Sequence, residues 1–186
     1  YSRGVTAGQG DTPQFQVGSE LNLDKYYAPA AIDRKHNLVI SGRLEIPRVE
    51  GLNLSGTLRM LSGTPLTIQN QNIDADRNTI FFDPLPAGTY STTAEHGMRD
   101  VQSTGERNDV RGPGFVQLDM RLGYRVRLGG NRTLDVFGEV FNATNEANFV
   151  NPSGDFRTQA DFLRYAGLVA TTGLPRQFQL GLRFGF

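Results

Sequence analysis

Alternation of apolar and polar residues is the feature that most limits what this chain can fold into. Between Val116 and Leu128 every second residue is apolar, and every residue between them is polar or glycine. With 38% hydrophobic residues in the chain, such a window arises by chance in about 1% of sequences of this length. Successive side chains of a β-strand point to opposite faces, which gives this period of two. The segment therefore predicts a strand with one apolar and one polar face.

Four other segments carry strand signals. Alternation recurs within residues 38–46, 52–60 and 178–186, whereas 134–141 is rich in Val and Phe but places Phe137 on the side of its carboxylates. We therefore predict five strands, at approximately residues 37–47, 52–61, 115–128, 132–142 and 176–186. Long loops are expected between and before them, at approximately residues 4–35, 62–114 and 143–175.

The connections between these strands are of two kinds. Residues 47–51 and the glycine-rich 129–132 are short turns, and the other connections are long. Because short and long connections alternate, antiparallel neighbours would place all short turns at one end of the sheet. Loops of about fifty residues are unusual in a compact domain. They are typical of outer-membrane barrels, which have short periplasmic turns and long extracellular loops.

A soluble antiparallel β-sandwich is the competing architecture, because its strands also alternate. Such a fold would suit a soluble binding module of the carbohydrate-binding type. Three features favour the barrel. The strands are near the roughly 9–11 residues that span a bilayer, short and long connections alternate, and the apolar last strand ends at Phe186. The smallest such barrels have about eight strands, and open edges are not tolerated in lipid. We therefore expect residues 1–186 to be the carboxyl-terminal part of a longer barrel protein, as a start at Tyr1 rather than Met also suggests.

A barrel wall assigns the alternating residues to lipid or to lumen. The apolar set is expected to face lipid: Val116, Leu118, Met120, Leu122, Tyr124, Val126, Leu128, Phe178, Leu180, Leu182 and Phe184. The polar set is expected to face the lumen: Gln117, Asp119, Arg121, Arg125, Arg127, Asp135, Glu139, Gln179 and Arg183. We expect the arginines to pair with neighbouring carboxylates, such as Asp119, Asp135 and Glu139, or with a plug, rather than to select an anionic ligand.

Composition excludes several classes of chemistry. The chain has no cysteine, so disulfides, thiolate metal sites and cysteine nucleophiles are impossible. Its formal net charge of zero makes nucleic acid a poor partner. The two histidines, His36 and His96, are sixty residues apart without ligands at zinc spacing. We find no catalytic triad and no complete dinucleotide motif, and we expect neither an enzyme nor a bound cofactor.

The loops contain three further features. Asp74, Asp76 and Asn78 resemble the start of a calcium loop, which then lacks its usual glycine and final glutamate, so they form only a weak calcium candidate. Loop aromatics are expected to pack against one another, with stacking on a ligand as the alternative: Phe81, Phe82, Tyr90, Phe149, Phe156, Phe162 and Tyr165. Residues 161–170 are a candidate short helix.

Several short motifs, in order, resemble one known family. They are IDRKHN at 32–37, SGTPL at 62–66, ERNDVRGPGF at 106–115, EVFNATN at 139–145 followed by Asn148 and Phe149, and PRQFQLGLRF at 175–184. Together they are similar to the carboxyl-terminal barrel region of Oar-like TonB-dependent receptors, and they cover most of residues 30–186.

This resemblance implies a barrel of about 22 strands around a plug domain, located in the cell outer membrane and taking up large or scarce substrates. The plug and the TonB-contacting segment are amino-terminal in that family and are not visible in this chain. The implied partners are outer-membrane lipid, the rest of the barrel and plug, TonB and an unknown extracellular ligand. The barrel-assembly machinery is a further implied partner, for which Phe186 matches the terminal aromatic assembly signal.

Overall fold

The protein is all-β. A computed structural model describes residues 5–7, 27–74, 77, 83–170 and 172–186. Its strands are β1 (Val5–Ala7), β2 (Tyr27–Pro29), β3 (Asn37–Glu45), β4 (Leu52–Leu61), β5 (Pro65–Leu66), β6 (Gly88–Tyr90), β7 (Val101–Ser103), β8 (Val110–Arg111), β9 (Phe115–Gly129), β10 (Arg132–Phe141) and β11 (Gln177–Gly185). In these ranges no helix is long and apolar enough to cross a membrane.

The five long strands form one sheet in the order β11-β10-β9-β4-β3. The pairs β11/β10, β10/β9 and β4/β9 are antiparallel. Ile46 N donates to Leu52 O at 3.0 Å where β3 turns into β4. These five strands carry the alternating segments of the sequence, and β3 and β11 are largely exposed on both faces.

The strand register keeps the two faces separate across the sheet. One row on the apolar side contains Leu54, Leu122, Gly138 and Leu180. On the other side Asp135 lies between Arg125 and Arg183. Because a slip of one residue would move each set to the opposite face, this register is strongly specified by the sequence. The register thus groups the residues expected to face lipid on one side and those expected to face the lumen on the other, apart from Leu128, which has no register partner at the shift.

Both short turns use glycine in the left-handed region. Gly51 has φ +89°, and a Cβ there would meet the Arg125 carbonyl oxygen. Gly129 and Gly130 have φ values of +96° and +60°, which suit the turn between β9 and β10. A register shift between Arg132 and Thr133 follows this turn. The two turns lie at one end of the sheet, and the long connections leave from the other end.

The chain divides into two compact units. The sheet unit comprises residues 38–61, 115–148 and 169–186, and the loop unit comprises the described parts of 1–37, 62–114 and 149–168. The loop unit has its own core, made of Leu66, Ile68, Val101, Val110, Phe162 and Leu163. The long connections expected to be loops therefore contain short strands, β1, β2 and β5–β8, around a hydrophobic cluster.

The helix expected at residues 161–170 does not form. That segment consists of turns and isolated bridges, including Ser153 with Phe162 and Gly97 with Arg164. Leu163 adopts a left-handed conformation with φ +55° and is completely buried. The prediction was wrong because burial of Phe162 and Leu163 in the loop core outweighs local helix propensity.

Candidate functional site: the two faces of the sheet

The apolar face of the sheet is exposed. The solvent-accessible fractions are 53% for Leu122, 89% for Leu180, 73% for Leu182 and 53% for Phe184. Monomeric soluble proteins seldom expose a continuous apolar surface of this kind, whereas membrane proteins present one to lipid. The soluble sandwich would require a second protein layer over these residues. Their exposure argues against that alternative.

The polar face carries paired charges. Arg121 donates to Glu139 at 3.1 Å, Arg125 makes two hydrogen bonds to Asp135 at 2.5 and 3.0 Å, and Arg127 lies 3.0 Å from Glu50. Exposed pairs of this kind add little to stability. They do neutralise charge along a face that contacts water. Arg183 forms no ion pair with the residues that the structure describes, although it lies beside Asp135 in the register.

Charged side chains also line a depression at the short-turn end of the polar face. Its volume is about 460 Å³, and its charged lining residues are Arg43, Glu45, Glu50, Arg125 and Arg127. Arg43 and Glu45 pair with each other at 3.2 Å. The depression is therefore a hydrated surface of mixed charge, not a site selective for one sign of ligand.

The expected pairing of Asp119 with an arginine is wrong. The Asp119 carboxylate instead accepts hydrogen bonds from Gln117 Nε2 at 2.9 and 3.0 Å and from Asn142 N at 2.9 Å. These donors are close because Asp119 lies near the ends of β9 and β10, where the chain turns at Asn142. Asp119 thus closes the long-loop end of the strand pair.

Phe137 explains the irregular alternation of β10. In the register it lies between Gly123 of β9 and Gly181 of β11. A Cβ at Gly181 would come within 2.3 Å of the Phe137 ring. The Arg121 guanidinium stacks on the same ring, 3.7 Å from its centroid. An aromatic residue on the polar face is therefore accommodated by glycines on both neighbouring strands.

Two buried asparagines shape the long-loop end of β9 and β10. Asn142 has φ +51° and is 1% exposed, and its Nδ2 donates to Glu146 O and Leu174 O, each at 2.9 Å. Asn148 accepts from Val116 N at 2.7 Å and donates to Val116 O at 2.9 Å. The Asn148 amide therefore pairs with β9 much as a neighbouring strand would. Both asparagines belong to the family-like motif at 139–149, but the sequence alone does not predict these structural roles.

The motif at 106–115 forms the centre of the loop unit. Asn108, with φ +55°, donates from its backbone to Thr67 Oγ1 at 2.9 Å and from Nδ2 to Pro29 O at 2.7 Å. Arg111 donates to the Asp33 carboxylate at 2.6 Å and to Asp33 O at 2.8 Å. The Asp33 side chain is 2% exposed. This arrangement, which we call the motif hub, ties three distant segments together.

Two glycines allow the backbone to pass closely at the motif hub. A Cβ on Gly63 would lie 1.9 Å from the Gly112 carbonyl oxygen, and a Cβ on Gly112 would lie 1.6 Å from Asn151 Oδ1. Asn151 itself donates to Pro65 O at 3.0 Å. The family-like motifs SGTPL and ERNDVRGPGF therefore meet, and their glycines are required by the contact.

The loop aromatics mainly pack against one another. Phe162 makes edge contacts with Tyr90 and Phe156 at ring-centroid distances of 6.3 and 4.9 Å, and Phe149 stacks on Tyr165 at 4.4 Å. Phe81 and Phe82 lie outside the described residues. Burial, and secondarily the charge of Asp109, raises the pKa of the Tyr90 phenol above its usual range. Phe162, Tyr90 and Phe156 thus belong to the loop core, whereas Phe149 and Tyr165 form a separate half-buried pair.

The calcium candidate gains no support from the described part of the chain. Asp74 is described, whereas Asp76 and Asn78 lie outside it. No group of three or more His, Asp or Glu side chains among the described residues is arranged to hold a metal ion. His96 lies 3.9 Å from Glu95 on an exposed surface.

An antiparallel sheet with an exposed apolar face and a charge-paired opposite face defines a wall of a membrane-spanning β-barrel. The chain belongs to the outer membrane beta barrel domain family, whose model matches residues 1–179. The predicted all-β barrel segment and its location in the cell outer membrane are thereby confirmed. No curated protein and no solved structure matches the chain.

Proposed function

We propose that this chain is the carboxyl-terminal part of the barrel of an Oar-like TonB-dependent receptor. The complete protein is then a transporter, not an enzyme, and takes up a large or scarce substrate through a barrel of about 22 strands. The plug and the TonB-contacting segment belong to its amino-terminal region. The lumen face of the segment is the polar face, and the lipid face is the apolar one.

The convergence of the family-like motifs supports this proposal most strongly. Asp33 of IDRKHN, Gly63 of SGTPL, and Arg111 and Gly112 of ERNDVRGPGF are separated in sequence but meet in the motif hub. Independent short matches would have no reason to share contacts. Their contact supports treating the motifs as one structural unit, which is what the proposed family requires.

The two faces and the loop unit supply further support. A hydrated face of paired charges suits the wall against which a plug and a polar substrate move. The loop unit has its own hydrophobic core, so it can hold a binding surface without help from the sheet. We propose that the extracellular ligand contacts this unit.

Binding of TonB tests the proposed function. The full-length protein, purified from outer membranes in mild detergent, would be immobilised and titrated with the purified periplasmic domain of TonB. We expect saturable binding that disappears when the amino-terminal TonB-contacting segment is deleted, while the barrel remains folded. Absence of binding by the intact protein would contradict a TonB-dependent receptor and leave the barrel assignment unchanged.

Labelling of single cysteines tests the orientation of the sheet. The chain has no cysteine, so Gln71→Cys and Asn131→Cys introduce unique sites if the rest of the protein is also cysteine-free. On intact cells a membrane-impermeant maleimide is expected to label Gln71→Cys, which lies in a long connection, and to miss Asn131→Cys in the turn between β9 and β10. Both sites should react after the outer membrane is permeabilised. The opposite pattern on intact cells would reverse the topology.

A further inference from the structure

A groove runs along β10 on the apolar face. The residues of β10 on this face are small in its middle, where Val136, Gly138 and Val140 follow one another at intervals of two. The flanking strands present larger side chains at the same levels. These walls are Met120, Leu122 and Tyr124 on β9 and Phe178, Leu180 and Leu182 on β11. We call this depression the β10 groove.

Gly138 forms the deepest part of the β10 groove. Its register partners are Leu122 and Leu180, so a residue without a side chain lies between two leucines. The open volume over this position is about 640 Å³. Leu180 and Leu182 lie on β11, the edge strand of the described sheet, and are 89% and 73% exposed. In the outer membrane this volume cannot remain empty, because apolar walls lose contacts beside a void.

A basic residue lies at the short-turn end of the same strand. Arg132 is the first residue of β10, two residues before Leu134 of the apolar face and next to the register shift at Thr133. It is exposed and forms no ion pair with any residue in the described ranges. Phe184 and Phe186 lie at the same end, with ring centroids 6.1 Å apart. Aromatic and long basic side chains are typical of the membrane interface, where lipid phosphates lie.

We propose that the β10 groove binds one acyl chain of a phospholipid whose phosphate contacts Arg132. The open volume is lined by apolar side chains and glycines of β4, β9, β10 and β11, which suits an aliphatic chain. An arginine at its open end supplies the charge that a phosphate requires. The proposal depends on the location in the outer membrane and not on TonB-dependent transport.

Filling the groove tests this proposal. The full-length protein would be purified in mild detergent and titrated with phosphatidylglycerol, and bound lipid would be counted by native mass spectrometry. Gly138→Leu is expected to lower occupancy about tenfold, because the added side chain takes the place of the acyl chain. Gly56→Leu is the matched control, since Gly56 also lies on the apolar face opposite Met120 but outside the groove. It is expected to bind lipid like the parent protein.

A second variant tests the phosphate contact. Arg132→Gln is expected to bind phosphatidylglycerol and an uncharged diacylglycerol with similar affinity, whereas the parent protein prefers the phospholipid severalfold. If Gly138→Leu fails to fold, Gly138→Ala replaces it. Its Cβ would lie 3.3 Å from Leu180 Cδ2, the end of a flexible side chain.

Equal lipid occupancy in the parent protein and the folded Gly138 variant would overturn the proposal. It would also be overturned if the parent carried a co-purifying polypeptide that Gly138→Leu displaces, because the occupant would then be protein. If Gly56→Leu lowered lipid occupancy as much as Gly138→Leu does, the lipid would be contacting the whole apolar face. That result would likewise contradict a defined groove.

Discussion

Arg111→Ala is expected to lower the opening free energy of the loop unit by about 3 kcal/mol, the lower end of the cost of breaking a buried ion pair, because Asp33 is buried while the Arg111 side chain is 31% exposed. Arg111 lies 2.6 Å from a carboxylate of Asp33 whose side chain is 2% exposed. It also donates to the carbonyl oxygens of Asp33 and Gly63 at 2.8 and 3.3 Å. The substitution therefore removes the guanidinium from a buried charge and from two backbone acceptors at once.

Hydrogen exchange measured by mass spectrometry on peptides covering β5 and β8 reports this opening free energy. Arg111→Lys is expected to retain only part of the opening free energy of the parent protein. A lysine ammonium cannot match the planar guanidinium, whose several N–H groups reach both the carboxylate and the carbonyl oxygens. Glu45→Gln breaks an exposed pair and serves as the control, with an expected effect below about 0.5 kcal/mol. Equal exchange in Arg111→Ala and the parent protein would show that the pair does not hold the motif hub together.

Gly63→Ala is expected to destabilise the loop unit by about 3 kcal/mol through overpacking. Its new Cβ would lie 1.9 Å from the Gly112 carbonyl oxygen, and the backbone at Gly112 would have to move. Gly112→Ala meets a different obstacle, the side-chain Oδ1 of Asn151 at 1.6 Å. We therefore expect Asn151→Ala to rescue part of the Gly112→Ala defect and none of the Gly63→Ala defect.

The same exchange experiment measures these glycine variants. Gly167→Ala is the control in the same unit, since nothing lies within 4 Å of its added Cβ and its effect is expected to be small. A rescue of Gly63→Ala by Asn151→Ala would mean that the side chain, and not the backbone contact, limits the space at the hub. Unchanged protection in Gly63→Ala would show that the close approach relaxes at little cost.

The strands of the sheet could be predicted because period two reports which face each residue occupies. The short turns could be predicted for a similar reason, since glycines at 51, 129 and 130 are local signals for left-handed backbone. Phe137 appeared to break the pattern of β10, because its fit depends on glycines in two other strands. The alternation within one strand does not reveal contacts with residues of neighbouring strands.

The loop unit was the part least accessible from the sequence. Its core joins residues such as Ile68, Val110 and Phe162, which lie in short elements without a regular period. The motif hub joins Asp33 to Arg111 across 78 positions, and no local rule predicts that distance. The left-handed conformations of Asn108 and Asn142 could have been suspected, because asparagine tolerates positive φ better than most residues.

Strands β5 and β8 join the two ends of the long connection between β4 and β9. They pair Pro65 with Arg111 and Leu66 with Val110. The stretch between these pairs is held at both ends, and its described residues Ile68 and Val101 share a core with Phe162 and Leu163. Since the entropy of closing a loop rises only slowly with its length, insertions at exposed positions of this stretch that spare the core would leave β4 and β9 able to pair. The length and surface of this stretch can therefore change while the sheet that forms the membrane wall stays the same.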